Sequence, residues 1–245
     1  AVPGRAVMQE LLLTIDTATR AGSVAVSRGE TVLGEIVLNA GSNHTDRLLL
    51  SLQQLLGDLQ LTPEQFDAFA VVRGPGSFTG LRVGVATVKG LALATGKSVI
   101  ALSSLELLAL QAPLARYPVC ALLDARKQEV YSCLYHWQGG RPQPLGPELV
   151  QPPERLLHSL QGEVLFVGDG CQTYRTLIVR QLGPRAHFLP WPCHLPRASS
   201  GAALALSALR RGETLSGAAL SPCYIRPSEA EINWLRRQQG AHQGG

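Results

Sequence analysis

Two stretches of this chain follow one pattern. LLLTIDTATRAGSVAVS (11–27) is an apolar run that ends in Asp16, turns over small residues and resumes as an alternating run. PVCALLDARKQEVYSCLYHW (118–137) does the same, with Asp124 in the place of Asp16. A continuous apolar run suits a strand buried on both faces, and an alternating run suits a strand with one face in the core. The echo is stronger in pattern than in identity, and it predicts two related α/β halves. With 245 residues, 45% of them hydrophobic, the chain is long enough to bury a core in each.

The segments between these runs give an order. Strands at 11–17, 22–29 and 31–38 form an antiparallel meander turning at Arg28-Gly29. NAGSNHTDRLLLSLQQLLGDL opens a helix, with Ser42 or Asn43 as cap and Asp46 in its first turn. Thr62-Pro63-Glu64-Gln65 is a second helix start, and DAFAVV (67–72) a strand. A glycine-rich loop then leads into a helix over 79–95, followed by a strand at 98–102 and a capping box, Ser103-x-x-Glu106. Strand, strand, strand, helix, strand, helix, strand, helix is the order of the ribonuclease-H-like half of an actin/hexokinase-like (ASKHA) fold. The second half continues with a strand and turn in GEVLFVGDG, a helix in CQTYRTLIVRQL, and a helix over 199–213 capped by Ser199 or Ser200. The expected division is a ribonuclease-H-like subdomain over 8–112 and a second, degenerate one over 113–230. Residues 1–7, ahead of the sole methionine Met8, are taken as a cloning remnant, and 231–245 as a disordered tail.

The glycine-rich loop, RGPGSFTGLRVG (73–84), has two readings. It lacks the lysine and hydroxyl of a Walker loop, since Leu81 and Arg82 follow Gly80, and its glycines are wrongly spaced for GxGxxG. Backbone N–H groups can still meet an anion there. The other reading is a joint that lets a helix pack very closely. That helix is apolar nearly all round, with Arg82 and Lys89 its only charges. Leu81, Val85, Val88 and Ala92 share one face; Gly80, Gly84, Thr87, Leu91 and Ala94 share another, whose small residues admit a second helix. On the first helix Leu48, Leu52, Leu55 and Leu59 form a stripe widened by Leu49 and Leu56, with Leu50 beside Gly57 off it. The excess leucines belong either to packing under the second half or to a subunit interface. Charged residues are 16% of the chain, against ~25% in ordinary soluble proteins. That composition fits either a surface covered by a partner or an Ala- and Leu-rich globule.

Chemical candidates are few. Asp16 and Asp124, at facing strand ends, suit a hydrated magnesium held against phosphate oxygens, with Thr17, Thr19 and Ser23 as donors. Both aspartates equally suit turn capping, and neither is followed by the glycine that lets phosphate approach the backbone. Their nucleotide reading is a stand-alone ATPase or small-molecule kinase. His44 has no ligand at i+4, Ser77 does not sit in GxSxG, and no triad spacing supports a hydrolase. Gly168-Asp169-Gly170 reads as a turn or as the wall of a base pocket. The net charge of +4 contains no run of like charges, so no nucleic-acid stripe is legible. Five scattered cysteines without CxxC predict reduced thiols and no zinc site. No apolar stretch approaches ~20 residues and no signal peptide is visible, which predicts a cytoplasmic protein off the membrane.

The segments LTIDTATRAGSVAV, HTDRLLLSLQQLL, RGPGSFTGLRVGVATVKGLAL, LLDARKQEVY and PCYIR together resemble the TsaB/YeaZ family, over nearly all of residues 8–226. The resemblance implies two actin/hexokinase-like subdomains and a non-catalytic subunit in the synthesis of threonylcarbamoyladenosine in tRNA. It implies pairing with the transferase TsaD, whose HxxxH motif is missing here, through helices 43–57 and 79–95, and recruitment of the ATPase TsaE. Threonylcarbamoyl-AMP is then the donor and the adenosine beside the anticodon the acceptor, with tRNA reached through the complex. The implied interface comprises His44, Leu48, Leu49, Leu52, Leu56, Gly80, Val83, Gly84, Thr87 and Leu91, and the same helices would support a homodimer. Asp16, Thr17, Thr19 and Asp124 become a vestigial nucleotide cleft. No cofactor is expected for the chain alone, with ATP or ADP admitted only in the assembled complex. On this resemblance RGPGSFTG is a tight turn that aims the second helix at a partner.

Overall fold

The computed structural model describes residues 9–39 and 44–226, with 44–46 given by backbone alone. The first half contains β1 (Leu11–Asp16), β2 (Gly22–Arg28), β3 (Thr31–Leu38), α1 (His44–Asp58), β4 (Ala68–Gly74), α2 (Phe78–Thr95), β5 (Ser98–Ser103) and α3 (Ser104–Ala109). The second contains β6 (Val119–Asp124), β7 (Val130–Gln138), β8 (Arg141–Pro144), β9 (Leu149–Gln151), α4 (Pro153–Ser159), β10 (Val164–Val167), α5 (Asp169–Thr173), α6 (Arg175–Leu182), β11 (Ala186–Phe188) and α7 (Ala198–Arg210). The expected remnant 1–7, the caps Ser42 and Asn43, the side chains of His44 and Asp46, and the tail 231–245 lie outside the described residues.

The two sheets have one topology. The first runs β3-β2-β1-β4-β5, the second β11-β10-β6-β7-β8 with β9 also on β7. In both, the strand ending in aspartate is central, antiparallel to the strand after it and parallel to its other neighbour. This is the ribonuclease-H-like order, twice, and the duplicated α/β architecture follows. The second repeat is eroded in strand length rather than order: β10 has four residues and β11 three.

Burial on both faces explains the apolar runs. Leu11, Leu13 and Ile15 of β1 and Phe69 and Val71 of β4 meet Leu48, Leu52 and Leu55 of α1 and Val85, Val88 and Ala92 of α2. The alternate residues Leu12, Ala70 and Val72 meet Ala205, Leu206 and Ala208 of α7 on the opposite face. The helix α7 therefore leaves the second half and closes the first, which corrects the 113–230 division. Neither Ser199 nor Ser200 is its N-cap. Its first N–H groups are met from the sheet instead: Ala198 N–H donates to Ser23 Oγ at 3.0 Å and Ser199 N–H to Glu35 Oε1 at 2.9 Å. The following chain stays with the first half, as Leu215 exchanges two backbone bonds with Val99 and Cys223 N–H donates to Arg73 O.

Two helix expectations change form. The start at Thr62 is a single 3-10 turn, Pro63–Gln65, with Thr62 N–H donating to Gln65 Oε1; buried Phe66 and Ala68 then pull the chain straight into β4. The helix expected in CQTYRTLIVRQL is split between α5 and α6 at Tyr174, whose φ is −104° and ψ 18°. The five cysteines are free thiols, and burial pushes Cys133 up to about 11 and Cys171 to about 12. No helix among the described residues is long and apolar enough to cross a membrane.

Candidate functional site: the glycine joint, the cleft and an open helix face

At the end of β1 the chain turns under the glycine-rich loop, and the two backbones touch. Ser77 N–H donates to Ala18 O at 2.7 Å and Thr17 Oγ1 donates to Gly80 O at 2.7 Å. A Cβ at Gly76 would stand 2.2 Å from Ala18 O, one at Gly80 2.1 Å from Thr17 O, and one at Gly84 2.4 Å from Thr17 Oγ1. Gly74, at φ +135°, would meet Cys223 O at 2.5 Å. Ser77 caps α2, accepting from Gly80 N–H at 3.3 Å. The loop is a joint inside the molecule. Gly80 and Gly84 are therefore buried against the chain's own β1–β2 turn, which corrects their assignment to a partner surface.

Asp16 lies just ahead of this joint in the chain. Its side chain is fully buried; Oδ1 accepts Ala18 N–H at 2.9 Å and Oδ2 has no partner among the described residues. Burial pushes its carboxyl up to about 7. Thr17 is likewise buried by its bond to Gly80. Neither residue lines the cleft between the halves, which corrects the magnesium arrangement: the two carboxylates do not face one open space. The other two candidates, Thr19 and Asp124, do line it. Thr19 Oγ1 is engaged with its own turn at Ala21, and Asp124 accepts from Arg126 N–H at 2.9 Å and pairs with the Arg126 guanidinium at 3.2 Å. Asp169 Oδ1 accepts Asp124 N–H at 3.0 Å, and burial raises the Asp169 carboxyl. Gly168-Asp169-Gly170 thus joins β10 to α5 at the cleft wall. No group of three or more His, Cys, Asp or Glu among the described residues is placed to hold a metal.

The cleft has a volume of about 690 Å³. It opens where β1 and β6 end, beside the first turn of α2, the position at which parallel sheets of this kind present loops. Its lining carries Arg20, Arg82, Arg126, Lys127 and Arg226 against two carboxylates, Asp124 and Asp169. The PCYIR segment bridges it. Tyr224 stacks on Phe78 at 4.8 Å between centroids and accepts from Arg82 Nε at 3.0 Å, on the first half. Arg226 donates to Ala125 O at 2.8 Å and pairs with Glu129, on the second. Arg126, Lys127 and Gln128 all have φ between 53° and 61°, a left-handed run that turns β6 into β7. Sequence reasoning missed these cations because they come from four separate segments of the chain. DAR and PCYIR are short segments separated by the whole second half, and folding alone brings them together.

The other feature is the outward side of α1 and α2, which lie side by side on the first sheet. Leu48 and Leu52 are buried in its core; Leu56, Val83, Thr87 and Leu91 are half-buried. What faces out is Leu49 at 52% exposure, Leu50 at 64% and Leu93 at 71%. Around Leu93, Ala86, Gly90 and Ala94 are exposed at helical spacing, and a Cβ at Gly90 would meet nothing within 4 Å. The small residues on the open side of α2 are thus 86, 90 and 94; of the set read from the sequence, Gly80 and Gly84 face inward, Thr87 is half-buried and Ala94 is exposed. The side chain of His44 lies outside the description.

Known proteins match this chain along its length. The family described as "TsaD: tRNA N6-adenosine threonylcarbamoyltransferase" matches residues 32–234. The "tRNA threonylcarbamoyladenosine biosynthesis protein TsaB" of Bacillus subtilis is 30% identical over 231 residues, 93% of this chain and 99% of that one. The protein of the same name from Haemophilus influenzae is 33% identical over 249 residues, 94% and 98% of the two chains. The solved structure of YeaZ from Pseudomonas aeruginosa superposes with a TM-score of 0.78 at 34% identity, covering 88% of this chain and 99% of that one. With the twice-used sheet order and the RGPGSFTG joint, these matches assign the chain: it belongs to the TsaB/YeaZ family of tRNA threonylcarbamoyladenosine biosynthesis proteins.

Proposed function

We propose that the chain is a non-catalytic subunit that pairs, through the outward side of α1 and α2, with a TsaD-like transferase. It supports threonylcarbamoyl transfer to tRNA there and helps recruit a TsaE-like ATPase. The observation that carries this reading is the exposure of Leu49 and Leu50 on α1, and of Leu93 with the small residues Ala86, Gly90 and Ala94 on α2, two helices that pack on the same sheet. Large apolar side chains grouped on a surface mark an interaction site, and small residues let a partner helix come close. Burying one leucine contributes about 1.5–3 kcal/mol, so three of them with their surroundings favour a lasting pair. A homodimer through the same surface is the state expected without the partner. The enclosure of Asp16 and the pairing of Asp124 with Arg126 favour this subunit role over an ATPase or kinase built on those two carboxylates. The test is reconstitution of tRNA threonylcarbamoylation with purified transferase, ATPase and donor. Modification is expected to need this chain and to be unaffected by Asp124→Asn in it. Full activity without the chain, or a collapse with Asp124→Asn in a folded protein, would contradict the reading.

A further inference from the structure

We propose that the cleft between the two halves is a binding groove for single-stranded RNA; this rests on the reading of the chain as a subunit of a tRNA-modifying complex. Five cationic side chains line it against two carboxylates. One of those, Asp124, pairs with Arg126, and the other, Asp169, is mostly buried; Arg226 in turn pairs with Glu129, so the charge left to the groove is smaller than the count of cations. The cations come from four separate places: Arg20 on the β1–β2 turn, Arg82 on α2, Arg126 and Lys127 on the β6–β7 turn, and Arg226 at the end of the described chain. Arg20 is exposed and has no anionic partner among the described residues. Charges spread over a groove match the repeated phosphates of a strand rather than one compact anion. Between them stands an aromatic platform. Phe78 is 39% exposed and stacked on Tyr224, with the Arg82 guanidinium 3.9 Å from its ring centroid. A cationic groove beside a partly exposed aromatic ring is how unpaired bases and their phosphates are held together.

The same geometry argues against a free nucleoside triphosphate. Several backbone N–H groups around the cleft, where a phosphate chain would be cradled, are already used. Ala18 N–H is on Asp16, Ala21 N–H on Thr19, Ser77 N–H on Ala18, Gly80 N–H on Ser77 and Arg126 N–H on Asp124. Asp16, the carboxylate that would hold its magnesium, is fully buried and does not line the cleft.

The test measures fluorescence anisotropy of a labelled single-stranded RNA oligonucleotide with the full chain, alone and with the transferase bound, at low and physiological salt. Binding is expected to weaken with salt. Arg20→Glu should weaken it about tenfold or more, and Phe78→Ala about fivefold to a hundredfold. The same charge reversal at Arg155 or Arg180, exposed on α4 and α6, should leave it within about twofold. Because Arg20 makes no hydrogen bond or ion pair among the described residues, its variant should melt with the wild type, and that is checked. The proposal is overturned if the wild type does not bind at low salt, or if Arg155→Glu weakens binding as much as Arg20→Glu. It is equally overturned if Mg-ATP displaces the RNA where inorganic triphosphate does not, which marks a mononucleotide site. Co-elution with the transferase separates the two readings. Arg20→Glu should still co-elute, so lost RNA binding with retained pairing tests this groove alone.

Discussion

Asp16 ends a strand, and its position explains both why it looked chemical and why it is not. The sequence marks the place where an apolar run meets a carboxylate, but not whether the next loop covers it. Here Gly76, Gly80 and Gly84 let the loop and α2 lie directly on the β1–β2 turn, and the carboxyl is left with one hydrogen bond among the described residues. Burial raises it from 3.8 to about 7, so the native state holds the proton more tightly than the unfolded chain. Stability is full below the unfolded value and falls as pH rises through 7, by about 4 kcal/mol from this group. Asp169, Glu106 and Glu148 are also raised by burial and act with the same sign. Comparison with Asp16→Asn isolates the one residue. Asn keeps the bond to Ala18 N–H and cannot ionise. Urea unfolding should show the variant no more stable than wild type at pH 5 and about 1–3 kcal/mol more stable at pH 8. An equal loss at both pH values would contradict the assignment.

At the scale of elements, the strands were legible because burial writes itself as periodicity. Leu11, Leu13 and Ile15 point one way and Leu12 the other, and both sides are covered. The helix α2 was legible as apolar nearly all round, yet only one side of it is buried, and its small face was misread. Glycine carries no hydrophobic signal, so a small residue facing its own sheet and one awaiting a partner look the same in sequence. The destination of α7 was hidden for a related reason: its buried stripe, Ala198, Ala202, Ala205 and Leu206, fits either sheet. The two sides of α2 give opposite predictions. Gly80→Ala drives a methyl into Thr17 O and should cost more than about 3 kcal/mol or prevent folding. Gly90→Ala meets open space and should stabilise by up to about 1 kcal/mol through helix propensity. Urea denaturation of both variants checks this, and similar effects at the two sites would refute the facing of the helix.

For the whole molecule, duplication was readable from two strand–aspartate–strand phrases, and the joining of the halves was not. The PCYIR segment reaches both halves through Tyr224 and Arg226, and the cations of the cleft converge only on folding. Function on this account is divided between two surfaces: a groove between the repeats and an open helix pair on the first. The helix pair is the central claim, and light scattering coupled to size-exclusion chromatography tests it most directly. The chain and a TsaD-like transferase should elute together as one complex. Leu49→Asp combined with Leu93→Asp, two exposed positions that leave the core untouched, should abolish co-elution while the variant melts within a few degrees of wild type. A folded double variant that still binds the transferase at wild-type strength would contradict it.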